Sequence, residues 1–305
     1  MVREGSGSGD PSPQQLRLFL LLARELHFGR AARRAYLTQP AFSQQIRSLE
    51  RRMGLTLVDR STRTIGLTAA GRSLLPQMRA VVRAADRLRE TVAGPTHGLA
   101  GRLVVGSFEA LAAVQPMRAV LDALRLAHPG LEVEVRRMGF GDWAELLLSG
   151  AVDAAFVLRP VPPGVQSLEL ATMGRVVCLP AADPLAGSGP LTFGQLADRA
   201  HIGWSPRAPK PWRDFWSADP RPGGAPVRYS AHQAADFESA LLVIAMGEGI
   251  QFPPEPARRL YPRAGVAYAE VAGLPPCSAA LAWRTQDRDR PGVAALRGAA
   301  RTVAG

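Results

Sequence analysis

Up to residue 94 the apolar residues of this chain recur at three- and four-residue spacing, whereas beyond residue 101 short apolar runs alternate with helical segments. This change of grammar constrains the fold more than any other feature: a helical module must precede an α/β module. Charge divides at the same place. Residues 1–94 hold 16 Arg against seven acidic residues, and residues 95–305 hold 21 basic against 19 acidic residues, so the first third carries most of the net charge of +11. A small basic module joined to a larger near-neutral one is the electrostatic footprint of a nucleic-acid binder; a basic surface kept for solubility is the alternative. Two cysteines, Cys178 and Cys277, exclude a disulfide-built scaffold. Apolar runs such as Leu18–Ala23 fall far short of a membrane span of ~20 residues. The Gly/Ser-rich start has no apolar signal core. A cytoplasmic, nucleoid-associated chain with no membrane partner is expected.

Residues 1–12 read as a flexible tail, and residues 13–70 as a winged helix-turn-helix. Pro13 opens a helix whose apolar face is Leu16, Phe19, Leu20, Ala23 and Leu26. Gly29 to Ala35 is a short second helix with small Ala residues for close packing. Thr38 caps a third helix, Gln39 to Met53, with Pro40 in its first turn and Gly54 closing it. In that third helix Phe42, Ile46, Leu49 and Met53 form one stripe, while Gln39, Pro40, Ser43, Gln44, Arg47 and Arg51 lie away from it. Leu55 to Leu67 alternates and carries Arg60 and Arg63, as a β-hairpin wing would. An ordinary three-helix bundle with a solvated charged face is the competing reading.

Residues 71–94 form a linker helix. Leu74, Met78, Val81, Ala85, Leu88 and Val92 are spaced 4, 3, 4, 3, 4, a heptad seam that fits dimerisation with a second chain. The same spacing also fits a helix packed on its own bundle. Gly94, Pro95, Gly98 and Gly101 read as a hinge.

From residue 101 the expected order is strand Leu103–Gly106, helix Leu111–His128, strand Leu131–Val135, helix Trp143–Leu148 and strand Ala154–Leu158. A second run follows: strands at Val176–Leu179 and His201–Trp204 with a helix Phe193–Ala197 between them, then strand Val227–Tyr229, helix Gln233–Met246 and strand Gly249–Phe252. Strand Ser278–Trp283 and a helix near Gly292–Val303 end the chain. The pattern implies βαβ units, a mostly parallel sheet and two α/β subdomains: I at about 101–174 and 274–305, II at about 175–273. Ligands bind between such lobes, outside the carboxyl ends of the strands. No G-x-S-x-G elbow, P-loop, H-E-x-x-H or metal-spaced cysteine pattern is present, so no catalytic residue, metal or cofactor is expected. Cys178 and Cys277 read as buried inert thiols, with a redox pair as the alternative.

Leu16 to Leu75 resembles the LysR-type transcriptional regulators. The match is carried by Phe28 with Arg30-Ala31-Ala32, by Leu37-Thr38-Gln39-Pro40, and by Ser43, Ile46, Leu49-Glu50, Gly54 and Leu57. Asp59-Arg60, Arg63, Leu67-Thr68 and Gly71 continue it. Looser matches follow at His128-Pro129, Gly150 before Asp153, Asp183-Pro184-Leu185, and Gly247-Glu248-Gly249-Ile250 before Pro253. Ala208-Pro209-Lys210-Pro211 is similar to members that sense aromatic acids.

The resemblance implies an all-α, winged-helix N-terminal domain, a long dimerisation linker helix, and a periplasmic-binding-protein-like effector domain of two α/β subdomains. It implies double-stranded promoter DNA, a small-molecule effector such as an aromatic or other organic acid, and a second or further copies of the chain (homodimer or homotetramer) as partners. RNA polymerase is a further candidate. In the recognition helix, Gln39 and Gln44 suit base edges, Ser43 a base edge or phosphate, and Pro40 a thymine methyl. Arg30, Arg47 and Arg51 suit phosphates, although a solvated face or a pair with Glu50 also fits Arg47 and Arg51. Arg63 matches the family's minor-groove arginine. Many relatives carry Arg where this chain has Gln44, so a guanine contact there is not carried over. For the effector, the candidates are Ser107, Ala110, Phe140, Ser205 and Gln251, then Trp204, Arg207 and His232. Carboxylate-binding relatives often place Ser or Thr at the positions of Ala110 and Phe140. Apolar residues here favour a bulkier or more apolar effector. A solute-binding sensor module with a basic oligomerisation arm and an α/β enzyme with a nucleic-acid tether are the competing functions.

Overall fold

Ser12 starts the first helix through a capping box: its hydroxyl accepts the Gln15 N–H, and the Gln15 side chain accepts the Ser12 N–H in return. Helix α1 (Pro13–Glu25) leads to α2 (Phe28–Arg34), capped by the His27 ring, and α3 (Gln39–Met53), capped by Thr38. Gly54 closes α3 at φ +64°, a left-handed position that suits glycine. Strands β1 (Val58–Asp59) and β2 (Gly66–Leu67) pair antiparallel as the base of the wing. Helix α4 (Ala69–Ala93) follows. Leu16, Phe19, Leu22, Ala31, Phe42, Ile46, Leu49 and Leu57 fill the core between these elements. The computed structural model describes residues 10–60, 65–93 and 99–304. The expected tail up to residue 9, the expected wing residue Arg63, and the expected hinge residues Gly94, Pro95 and Gly98 lie outside the described residues, as do the side chains of Val92 and Ala110.

A separate unit begins at Gly98. Its first lobe starts with β3 (Gly101–Phe108), a short 3-10 helix Glu109–Ala113 and α5 (Met117–Ala127). The helix expected from Leu111 thus opens at Met117: Pro116, one residue earlier, has no N–H to continue a helical ladder. Then come β4 (Leu131–Met138), α6 (Trp143–Leu148), β5 (Ala154–Leu158) and β6 (Val165–Met173). The second lobe holds β7 (Val176–Pro180), β8 (His201–Trp204), α7 (Lys210–Ser217), β9 (Tyr229–Ala234), α8 (Phe237–Ala245), α9 (Ala257–Leu260) and β10 (Val266–Glu270). The chain returns to the first lobe as β11 (Cys277–Arg284) and ends in α10 (Pro291–Ala304).

The first-lobe sheet has the order β4-β3-β5-β11-β6, parallel through β4-β3-β5 and antiparallel on both sides of β11. It is therefore mixed rather than mostly parallel. In the second lobe β7 pairs antiparallel with β10 and β8 parallel with β9, while Gln251 bridges to Cys178 and Ile250 to His201, joining the two pairs. The strand expected at Gly249–Phe252 is reduced to those two bridges at Ile250 and Gln251. Residues 193–197 form turns, not a helix. The helix expected from Gln233 begins at Phe237, because β9 runs to Ala234 and Asp236 caps α8. Strands β6 and β10 carry no strict alternation and were not anticipated. Among the described residues no helix is long and apolar enough to cross a membrane.

Candidate nucleic-acid interface and ligand cleft

In α3 the buried stripe Phe42, Ile46 and Leu49 faces the core, which turns the polar side outward. Gln39, Pro40, Ser43, Gln44, Arg47, Glu50 and Arg51 line one open groove of about 1010 Å³. Glu50 is spent inside the domain. Its Oε1 accepts the N–H groups of Leu57 (2.9 Å) and Val58 (3.1 Å), and its Oε2 accepts from Arg60 at 2.8 Å. The carboxylate thus pins the wing to α3, and among the described residues Arg47 and Arg51 have no carboxylate partner. Arg30 differs: its guanidinium bonds the Glu25 carbonyl at 2.6 Å and faces the Glu25 carboxylate at 3.4 Å.

Helix α4 presents the seam on two sides. Met78, 3% exposed, packs into the domain's own core with Val82, and Leu74 packs against it. Val81 (47% exposed) and Leu88 (66% exposed) face outward. Arg17 ties α1 to α4 through Asp86 at 2.5 Å.

In the C-terminal unit the two lobes meet through aromatic rings. Phe108, Phe140 and Trp143 come from the first lobe, Trp204, Trp212 and Trp216 from the second. Phe140 meets Trp204 edge-on at 5.0 Å between centroids and Trp212 at 5.6 Å. The Trp212 indole donates to the Leu158 carbonyl at 3.0 Å, and the Phe140 N–H to the Ala235 carbonyl at 2.9 Å. Edge-to-face contacts of this kind add to simple area burial. Of the expected effector residues, the structure brings Phe140, Trp204 and Ser205 together: a Cβ on Gly141 would stand 2.6 Å from the Ser205 hydroxyl. Ser107 is buried and engaged locally, its hydroxyl accepting the Ala112 N–H at 2.9 Å. Gln251 is buried, its Nε2 donating to the Ile202 carbonyl at 3.4 Å and its Oε1 unpartnered. Arg207 and His232 are exposed. Sequence reasoning missed Trp143, Trp212 and Trp216. The i, i+4 pair Trp212/Trp216 in α7 was the signal for two of them. Burial pushes the thiols of both cysteines up, Cys277 to about 11, which leaves little thiolate for redox chemistry.

Comparison with known proteins follows the same division. Residues 13–72 match the bacterial regulatory helix-turn-helix protein model of the lysR family, and residues 96–305 match the LysR substrate binding domain. The chain belongs to the LysR family. It is a DNA-binding transcriptional regulator with an effector-binding domain. It is 30% identical to the HTH-type transcriptional regulator AlsR of Bacillus subtilis over 250 residues, 81% of this chain and 82% of that one. It is also 30% identical to the HTH-type transcriptional regulator IlvR of Caulobacter vibrioides over 279 residues, 90% and 92% of the two chains. Among solved structures, the LysR family regulator CbnR has a TM-score of 0.66 at 22% identity, covering 96% of this chain and 99% of that one. A full-length OxyR variant from Pseudomonas aeruginosa has a TM-score of 0.62 at 23% identity, covering 97% of each chain. These two likenesses bear on the fold.

Proposed function

We propose that this LysR-type regulator reads its operator with the outer face of α3. The observation that carries the reading is the exposed face in which, among the described residues, Arg47 and Arg51 are left without carboxylates while Glu50 is engaged by the wing. Gln39 and Gln44 meet base edges in the major groove, Pro40 a thymine methyl, Ser43 a base edge or phosphate, and Arg47 and Arg51 phosphates. Arg63, which matches the family's minor-groove arginine, reaches the minor groove. Arg30 reaches a phosphate only by exchanging its contact with Glu25. One solved relative, CbnR, is described as complexed with its target DNA, which fits this use of the N-terminal unit. Val81, Ala85, Leu88 and Val92 supply the intermolecular part of the seam, while Leu74 and Met78 brace the helix on its own domain. The protein works in the cytoplasm on the nucleoid, and it has no catalytic step; its relatives are named as regulators.

The effector sits between the lobes, against Phe140, Trp204, Ser205 and Trp212. Those rings pack on one another, so an effector enters by separating them and acts through its differing affinity for the packed and separated arrangements. The lining favours a bulky, largely apolar molecule over a small carboxylate.

Footprinting on the DNA upstream of the chain's own gene tests the DNA reading. The expected result is a dyad-symmetric protected site that a Gln39→Ala/Arg63→Ala double variant loses. Equal protection by wild type and double variant overturns it.

A further inference from the structure

Between β6, the end of β11 and α10 in the first lobe lies a pocket of about 500 Å³. Its apolar wall is Val161, Val165 and Leu168, and four guanidinium groups line it: Arg159, Arg288, Arg297 and Arg301. Arg159 is paired with Glu169 at 3.2 Å. Arg288 and Arg297 share one exposed carboxylate, Asp289, at 4.0 and 3.9 Å, and Arg301 has no carboxylate partner among the described residues. Arg297 is buried, its guanidinium 4.8 Å from the Trp283 ring centroid, with Nη1 donating to the Arg288 carbonyl at 2.7 Å. Its Nε–H has no partner. The carboxylate that approaches it is Asp289 at 3.9 Å, which is 92% exposed and therefore screened by water.

A buried guanidinium with an unused donor and a distant counter-charge is costly unless something else supplies the acceptor. Burial first, then the like charges of Arg301 and Arg288, pulls the Arg297 pKa down. The carbonyl end of α10 accounts for Arg301, which lies in its last turn, but not for Arg297 or Arg288. Arg297 and Arg301 stand one turn apart on the same helix face, so both reach one ligand.

We propose that this pocket is a second ligand site for a small organic polyanion, whose negative groups meet Arg288, Arg297 and Arg301 and whose carbon body lies on Val161, Val165 and Leu168. None of the residues proposed to hold the effector between the lobes lines this pocket. Carboxylates and phosphate esters share the required chemistry.

The test is calorimetric titration of the full chain with citrate and, separately, with glycerol 3-phosphate. Saturable binding of at least one probe, at one site per chain, is expected. Arg288→Ala and Arg301→Ala, both surface changes, should each weaken it about tenfold, the loss of one charge-assisted contact. Arg118→Ala, an exposed charge removed from α5, should leave it unchanged. The preference between the two probes separates a carboxylate ligand from a phosphate ligand. No saturable binding of either probe overturns the proposal, as does equal weakening in Arg118→Ala, which would mean attraction to net charge alone.

Discussion

A Cβ on Gly71 would stand 2.2 Å from the carbonyl oxygen of Leu57. Gly71 lies in the first turn of α4, and Leu57 precedes the wing strand β1, so helix and wing approach closer there than any side chain allows. The obstructing atom is backbone and cannot turn aside. Thr68 fastens the same junction: its hydroxyl donates to the Thr56 carbonyl at 2.7 Å and accepts the Gly71 N–H at 2.9 Å. Gly71→Ala should therefore destabilise the N-terminal unit by ~1–3 kcal/mol, the usual cost of overpacking. Calorimetry on the full chain measures it, and an unchanged Tm for the N-terminal transition counts against this account of the junction.

The two sides of α4 should respond differently to substitution. Met78→Ala empties a site inside the domain's own core and should cost ~2–5 kcal/mol of stability. Leu88→Glu places a charge on the outward seam and should leave the Tm of the N-terminal unit nearly unchanged while shifting the assembly toward monomer. Sedimentation and thermal melts on both variants separate the effects. A Leu88→Glu protein that keeps its full oligomeric mass would remove the outward seam from the interface.

The recognition face divides into position and specificity. Arg47→Ala should weaken binding to all DNA sequences alike and lower the slope of log K against log salt by about one. Gln44→Ala should instead narrow the gap between operator and unrelated DNA with little change in slope. Filter-binding or anisotropy titrations at several salt concentrations give both quantities. An unchanged slope for Arg47→Ala would place that guanidinium off the phosphates.

His201 is fully buried in the second lobe, with the rings of Phe252 and Trp204 at 5.6 and 5.9 Å. Burial first, then the nearby charge of Arg221, lowers its pKa to about 3. The folded protein therefore keeps the ring neutral, whereas the unfolded chain takes up a proton below about pH 6.5. Its contribution to stability is complete above that pH and falls by ~1.4 kcal/mol per unit as pH drops toward the folded pKa. Urea unfolding at about pH 7 and about pH 5 should show a loss of ~2 kcal/mol for the C-terminal unit that His201→Gln largely abolishes. The same pH dependence in that variant would mean that another group carries it.

The N-terminal unit was legible in the sequence because its signals are local. The stripe Phe42/Ile46/Leu49, the Thr38 cap and the closing Gly54 all lie within one helix and its ends, where 3.6-residue periodicity and capping chemistry decide the outcome. The alternation of strands and helices likewise announced the two α/β lobes and, with the resemblance over Leu16 to Leu75, the family. Other features depended on partners far along the chain. Nothing near Glu50 says that it serves Leu57, Val58 and Arg60 instead of Arg47 or Arg51. Heptad spacing does not say that Met78 turns inward while Val81 and Leu88 turn outward, because that depends on where α1 packs. Trp212 reaches the carbonyl of Leu158 across 54 positions, and Arg297 reaches Trp283 from another element. Periodicity and caps are set by a residue's neighbours in sequence, so the chain alone determined the N-terminal helices, the change to α/β lobes and the family, but not β6, α7 or β10. Which polar groups are spent inside the fold, and which remain available to DNA or a ligand, is set by contacts between distant segments, and only the tertiary structure decided it.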